Sequence, residues 1–243
     1  MSQVPEKIIA VIPAAGVGKR MGGNIPKQYL SINEKTILSH SLSVFLSHPS
    51  IDKVIVAIGV DDEYFDELEE AKHPKLMKTL GGVERADSVL AALKCAKGSG
   101  FSNAWALVHD AARPCVTSDD IDLLLASRVD NPQGAILAMP VRDTMKRATD
   151  DQQIINTVCR IQLWHAMTPQ MFPVKELCHN LSQALIQEVS ITDEASAMEW
   201  AGVHPGLVAG RPDNIKVTHP EDIQLASLYL AQHQSQHQEQ HSG

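Results

Sequence analysis

Five apolar residues, Ile8 to Ile12, run straight into Pro13, Ala14, Ala15 and Gly16, with Gly18 two places further on. The length and β-branched content of the run suit a strand buried on both faces, and such a strand requires helices above and below it. Pro13 has no N–H to donate and is expected to end the ladder. The residues after it carry almost no side chain. Their backbone can therefore reach φ > 0 and lie close to a ligand, with successive N–H groups converging on an anion as a nest does. Lys19, Arg20 and Lys27 follow. Cations so near a glycine loop make sense where the charge of a polyphosphate must be neutralised.

Spacing excludes two familiar phosphate loops. A P-loop reads GxxxxGK[ST], but Met21 stands where the second glycine would follow Gly16, and Gly23 is succeeded by Asn24 instead of lysine. A dinucleotide fingerprint reads GxGxxG, and Met21 again takes the third glycine's place after Gly16 and Gly18. Any one of these residues alone would be ordinary turn or surface chemistry; together they point to phosphate.

At 243 residues, 44% of them hydrophobic, the chain suits one α/β domain spanning 1–243. The net charge of −8 argues against binding nucleic acid, so an anionic substrate must find a local basic pocket. No run reaches the roughly 18 apolar residues of a membrane span. The first residues resemble neither a signal nor a transit peptide, which gives a cytoplasmic expectation. Cys95, Cys115, Cys159 and Cys178 are far apart with no CxxC and are read as reduced. The segment 233–243, rich in His, Gln and Ser, reads as a frayed polar tail, because its histidines follow no metal-ligand spacing.

Past the loop, strand and helix alternate. Thr36 to Leu46 has helical periodicity, Val54 to Ile58 reads as a buried strand, and Asp61 to Glu70 as an acidic helix. Lys78 to Leu80 is expected to be a short strand entering Gly81-Gly82, Arg85 to Lys97 a helix, and Trp105 to Val108 a strand entering His109-Asp110. Thr117 opens the next helix in a capping box with Asp120. If the strands are parallel, as βαβ alternation implies, the glycine loop, Gly82 and Asp110 emerge at one carboxyl edge, where open α/β sheets bind ligands. A TIM barrel also alternates, but Met139 to Thr168 does not read as strand then helix.

After a strand over Gly134 to Val141, Thr144 to Ala148 and Ile154 to Val158 read as a projecting β-hairpin arm within 141–160. A lone hairpin is marginal in water, so the arm rests either on a second subunit or on its own domain. Helices follow over Val174 to Glu188 and Asp193 to Ala201, the latter capped by Thr192. Ile215 to Val217 reads as a final strand, and Thr218 with Glu221 as the capping box of a last helix ending near Gln232.

Asp110, ending a buried strand beside the loop, is the metal-ligand candidate, since magnesium takes one or two carboxylates and completes its octahedron with phosphates and water. A turn or cap role is the plain alternative. For Arg113, Arg160 and Lys216 a surface ion pair is the commoner explanation. No GxSxG nucleophile is present. What remains is phosphorus chemistry by positioning and charge stabilisation, the transfer of a phosphoryl or nucleotidyl group.

PAAGVGKRM with PKQY, GGVERADSV, VHDAARP, DTMKR, WHAMTPQ, ITDEASAME and DNIKVT, in this order between Lys7 and Leu230, resemble the 2-C-methyl-D-erythritol 4-phosphate cytidylyltransferases of the non-mevalonate isoprenoid pathway. The resemblance implies a Rossmann-like nucleotidyltransferase fold, a mostly parallel sheet with helices on both faces. It also implies a homodimer that exchanges hairpin arms, a divalent cation (Mg2+ or another), and transfer of CMP from CTP to 2-C-methyl-D-erythritol 4-phosphate with release of pyrophosphate. Position by position, Ala14, Ala15, Gly16 and Gly18 would wrap the CTP, with Gly82 and Ser88 near cytosine and ribose. Arg20 and Lys27 would stabilise charge growing on the triphosphate, and Asp110 would meet the metal. Arg160 and Lys216 would hold the acceptor for in-line attack, helped by Arg113, Thr144 and Thr168, with Thr144, Arg160 and Thr168 serving the neighbour's site. Val83 departs from relatives that carry an acid after the glycine pair, so the resemblance implies backbone contacts from Gly82 to the nucleotide and no acidic side-chain contact from position 83. Two other readings share the nucleotide half: a cytidylyltransferase for another polyol phosphate such as ribitol 5-phosphate, and a nucleotide-binding regulatory module without turnover.

Overall fold

Side chains of the first strand, β1 (Ile8–Pro13), alternate between two cores, and that alternation organises the molecule. Ile8, Ala10 and Ile12 enter one core, Ile9 and Val11 the other. Each large aliphatic side chain so enclosed stabilises the fold by about 1.5–3 kcal/mol. The architecture is that of a computed structural model, which describes residues 6–16 and 25–240, the last four as backbone only. Gly18 and Arg20 lie outside the described residues.

After β1 come the small hairpin β2 (Ser31–Ile32) and β3 (Lys35–Thr36), then α1 (Ile37–Ser47), β4 (Lys53–Ile58), β5 (Leu76–Leu80), α2 (Arg85–Gly98), β6 (Trp105–Val108) and α3 (Ser118–Ala126). The second half holds β7 (Ala135–Pro140), β8 (Met145–Ala148), β9 (Ile154–Val158), β10 (Trp164–Pro173), α4 (Val174–Ile186), α5 (Glu194–Trp200), β11 (Gly206–Ala209) and α6 (Pro220–Gln240). The main sheet has the order β11-β7-β10-β6-β1-β4-β5. Only β10 runs against its neighbours, β6 and β7; the other pairings are parallel. Helices α1 and α3 cover the core around Ile12 and Leu107, while α2, α4 and α5 cover the one around Val11 and Val108. The expected mostly parallel sheet with helices on both faces is therefore present. The hairpin is present too: β8 and β9 pair only with each other, as a separate two-stranded sheet.

Pro13 ends the ladder as expected: it is the last residue of β1, and its last registered pair is with Ala57, whose carbonyl accepts the Ala14 amide at 2.7 Å. Several other local expectations are corrected. Asp61 to Glu70 is not one helix. Asp62 Oδ1 accepts from the Tyr64 and Phe65 amides and starts a 3-10 turn, and Leu68, in extended conformation, separates it from a second turn at Glu69–Lys72. Ile215 to Val217 forms no strand: Val217 N donates to the Ala112 carbonyl at 2.8 Å, and the Val217 side chain is buried in a third core beneath α6. The last strand of the sheet is β11, a half-buried edge whose glycine and alanine ends give little apolar signal. Helix α5 is capped by Asp193, which accepts from the Ser196 amide at 2.9 Å, in place of Thr192. Asp222, not Glu221, accepts from Thr218 and His219 at the start of α6. That helix continues to Gln240 instead of fraying after Gln232, and His233 is tied to Asp213 at 2.8 Å.

Candidate active site

The carboxyl edges of β1, β5 and β6 open onto one cleft of about 600 Å3. Ala14, Ala15 and Gly16 form its floor on the β1 side. Gln28, buried, donates to the Ala14 carbonyl at 2.8 Å and so ties the far end of the loop to its beginning. Opposite stands the Gly81-Gly82 turn. A Cβ on Gly81 would sit 2.5 Å from the Ala15 Cβ, so the close approach of the two loops needs glycine there, and one on Gly82 would sit 2.3 Å from the Asp87 Cβ, so the turn needs glycine to fold against α2. Buried Ser88 accepts the Gly82 amide at 3.1 Å and donates to the Glu84 carbonyl at 3.3 Å, which sets the shape of this turn. Val83, 95% exposed, stands at the cleft's rim.

Charge concentrates at the end of β6. Asp110 is buried, and its Oδ1 accepts from Arg85 Nε at 2.7 Å while its Oδ2 faces Lys216 Nζ at 2.7 Å. Arg113 Nε lies further off, at 3.9 Å. Burial alone would raise the pKa of Asp110, but Arg85, Lys216 and Arg113 outweigh it and hold the group ionised, well below the usual carboxylate range. Arg85 turns its remaining edge to buried Glu194, at 2.7 and 3.0 Å. Burial opposes its charge too, but Glu194 and Asp110 together raise its pKa. Arg113 differs: burial lowers its pKa, and its Nη1 donates to the Asn214 carbonyl at 2.7 Å. Asn214 in turn donates to the Thr168 carbonyl at 2.8 Å, and Val217 joins Ala112. These bonds stitch the loop before α6 to the end of β6 and so bring Lys216 to Asp110. Lys27 reaches the same loop, donating to the Val217 carbonyl at 3.2 Å.

His109 supports Asp110 from behind. Its Nε2 meets the Arg113 carbonyl at 3.1 Å; a carbonyl only accepts, so Nε2 carries the proton. Bare Nδ1 then accepts from Thr168 Oγ1 at 3.0 Å, which leaves that oxygen free to accept the Asp110 amide at 3.1 Å. Enclosed, with its ring tilted at 48° against that of Phe45, His109 has its pKa lowered from 6.5 to about 4, chiefly by burial. The folded value lies below the unfolded one, so between those pH values the unfolded chain binds the extra proton. Stability is full above 6.5, falls by about 3 kcal/mol as pH drops to 4, and levels below. Urea unfolding at about pH 7 and about pH 4.5 measures this. His109→Gln, which keeps hydrogen-bonding capacity without titrating, is expected to flatten the dependence, and an unchanged slope would remove His109 as its source.

Ala14, Ala15, Gly16, Lys27, Gly82, Ser88, Asp110 and Lys216 thus meet at one cleft. Arg113 and Thr168 lie beneath it, holding backbone in place. Thr144 and Arg160 do not line it; both are exposed at the base of the hairpin, where Arg160 donates to the Arg142 carbonyl. Sequence reasoning assigned no role to Arg85, Glu194, Gln28, His109 or Asn214. Arg85 beside the glycine pair was the available signal. Glu194 offered none, being 109 residues from its partner.

Known proteins resemble this chain along nearly its whole length. Residues 8–232 match the family model described as IspD, 2-C-methyl-D-erythritol 4-phosphate cytidylyltransferase. The chain is 66% identical over 230 residues to the 2-C-methyl-D-erythritol 4-phosphate cytidylyltransferase of Shewanella amazonensis, covering 95% of each. It is 64% identical over 230 residues to that of Shewanella halifaxensis, covering 95% of this chain and 98% of the relative. The crystal structure of a 4-diphosphocytidyl-2C-methyl-D-erythritol synthase superposes with a TM-score of 0.81 at 37% identity, over 93% of this chain and 100% of the other.

Proposed function

This chain belongs to the 2-C-methyl-D-erythritol 4-phosphate cytidylyltransferase family, nucleotidyltransferases of isoprenoid biosynthesis, and from that premise we infer that the cleft is where CMP passes from CTP to the methylerythritol phosphate. The observation that supports it is the meeting of the Ala14–Gly16 backbone, Lys27 and Lys216 around Asp110. An oxygen of the acceptor's phosphate attacks the α-phosphorus of CTP; the bond from that phosphorus to the bridging oxygen breaks, and pyrophosphate leaves with the electron pair. The loop opened by Ala14, whose own N–H is held by the Ala57 carbonyl, wraps the triphosphate through the backbone of Ala15, Gly16 and Gly18, and Gly82 and Ser88 form the side that receives cytosine and ribose. Arg20 and Lys27 stabilise the charge that grows on the leaving pyrophosphate, and Lys216 holds the attacking phosphate.

The residues fit a divalent cation through one carboxylate. Among the described residues no three His, Cys, Asp or Glu side chains converge, so a cation at Asp110 would complete its shell with phosphate oxygens and water, the habit of magnesium. When bound, it would neutralise triphosphate charge. Asp110 suits this task because its neighbours keep it ionised and it lines the cleft.

The hairpin reads as a dimerisation arm. Met145, Ile154 and Ile155 are exposed on β8 and β9, and a two-stranded sheet with apolar side chains in water is marginal by itself. A second copy covering it would carry Thr144 and Arg160 to the partner's acceptor, whereas Thr168, buried and bonded to His109 and the Asp110 amide, stays beneath its own chain's cleft.

Among the described residues no helix is long and apolar enough to cross a membrane. Pyrophosphate release with CTP and Mg2+, with methylerythritol phosphate and ribitol 5-phosphate supplied separately, tests the reading. Release is expected with the first acceptor only. Arg160→Ala should raise KM for that acceptor about tenfold while leaving KM for CTP near normal. Release with ribitol phosphate alone would overturn the acceptor, silence with both would favour a regulatory module, and an Arg160→Ala effect confined to CTP would overturn that residue's role.

A further inference from the structure

The charges around Asp110 do not balance locally. Arg85 and Lys216 each lie 2.7 Å from its carboxylate and Arg113 lies 3.9 Å away, so one anion faces three cations. That excess of two positive charges would repel a divalent cation. Glu194, the first residue of α5 and 2% exposed, reduces the excess to one. Both of its oxygens are occupied by the Arg85 fork, at 2.7 and 3.0 Å, while Arg85 Nε stays on Asp110. Held on both sides, the guanidinium orients Asp110 instead of swinging onto an incoming triphosphate. Its own chain neighbours do not explain this buried acid: helix α5 is capped by Asp193, and Ala195 N is satisfied by Gln170.

We propose that Glu194 is a positioning residue that neutralises Arg85 and thereby keeps Asp110 able to receive a divalent cation together with the nucleotide. This rests on the reading of Asp110 as the metal-binding carboxylate. Glu194 touches neither nucleotide nor metal; it acts through Arg85. Without its charge, the site should hold metal-free CTP at least as well and the cation less well, because an uncompensated guanidinium attracts phosphate and repels the metal.

Titration calorimetry of the full-length protein with CTP, in the presence and absence of Mn2+ and without acceptor, reads this directly, as the factor by which Mn2+ tightens CTP binding. Glu194→Gln is expected to lower that factor about tenfold, with metal-free CTP bound no more weakly than by the wild type. Asp110→Asn is the control for the underlying reading and should lower the factor as well. Arg85→Gln combined with Glu194→Gln removes both charges, leaves neither unpaired and restores the excess to one, so it should keep the factor within about threefold of wild type. Should the single variant fail to fold, the double variant decides: a retained factor supports the charge-balancing role and a lost one overturns it. A normal factor in Glu194→Gln with a reduced one in Asp110→Asn overturns the role of Glu194 alone. A normal factor in Asp110→Asn overturns the metal assignment and the proposal with it.

Discussion

Asp110→Ala is expected to abolish measurable turnover and to weaken the fold at the same time. Removing the one anion that Arg85 and Lys216 share leaves cations facing one another across the end of β6. Breaking a buried charge pair by deleting one partner costs about 3–5 kcal/mol, a large share of the stability of an ordinary domain. Activity should fall by at least about 10³-fold, since the same change removes the proposed metal carboxylate and the anchor of Lys216. Urea unfolding and pyrophosphate release on one preparation measure both effects. A variant that unfolds at the wild-type urea concentration would show that the cations find other partners, and one that still turns over at a tenth of the wild-type rate would remove Asp110 from the chemistry.

Lys27→Ala separates chemistry from folding. Lys27 follows Pro26 at the end of the loop, half-buried, and donates to the Val217 carbonyl at 3.2 Å. A bond of that kind contributes about 1 kcal/mol, so the protein should remain folded. A preorganised cation at developing phosphate charge is worth about 3–4 kcal/mol of barrier, so kcat is expected to drop about 10²–10³-fold with a smaller change in KM for CTP. Lys27→Arg, which keeps charge but changes its reach, should recover part of the rate. Near-normal kcat in the alanine variant would assign Lys27 to fastening the loop before α6 and to nothing more.

The parts of the site that sequence made visible share one physical property: their signals are local. An apolar strand meeting small residues and then cations is contiguous in the chain, as are the Gly81-Gly82 turn before α2 and the His109-Asp110 pair after β6. Parallel alternation then puts all three at one sheet edge without further information. The errors are local contests that tertiary contacts won. Asp61 to Glu70 has acids suited to a helix, yet Tyr29 Oη on Asp62 Oδ2 at 2.6 Å and enclosed Phe65 break it into two turns. Ile215 and Val217 have strand-like side chains, but they pack under α6 and leave the edge of the sheet to Gly206–Ala209.

By itself the sequence determined the alternating α/β layout, the phosphate character of the glycine loop and, through seven ordered motifs, the family to which the chain belongs. Periodicity, backbone freedom and charge density act over a few residues, so they can be read directly. Tertiary structure alone decided what each charge does. Arg85 was assigned to Asp110 and Glu194, Arg113 was withdrawn from the cleft to hold Asn214, and Lys216 was carried to Asp110 by a loop that forms no strand. Coulomb energy depends on distance in space and on burial, and neither is a function of separation along the chain.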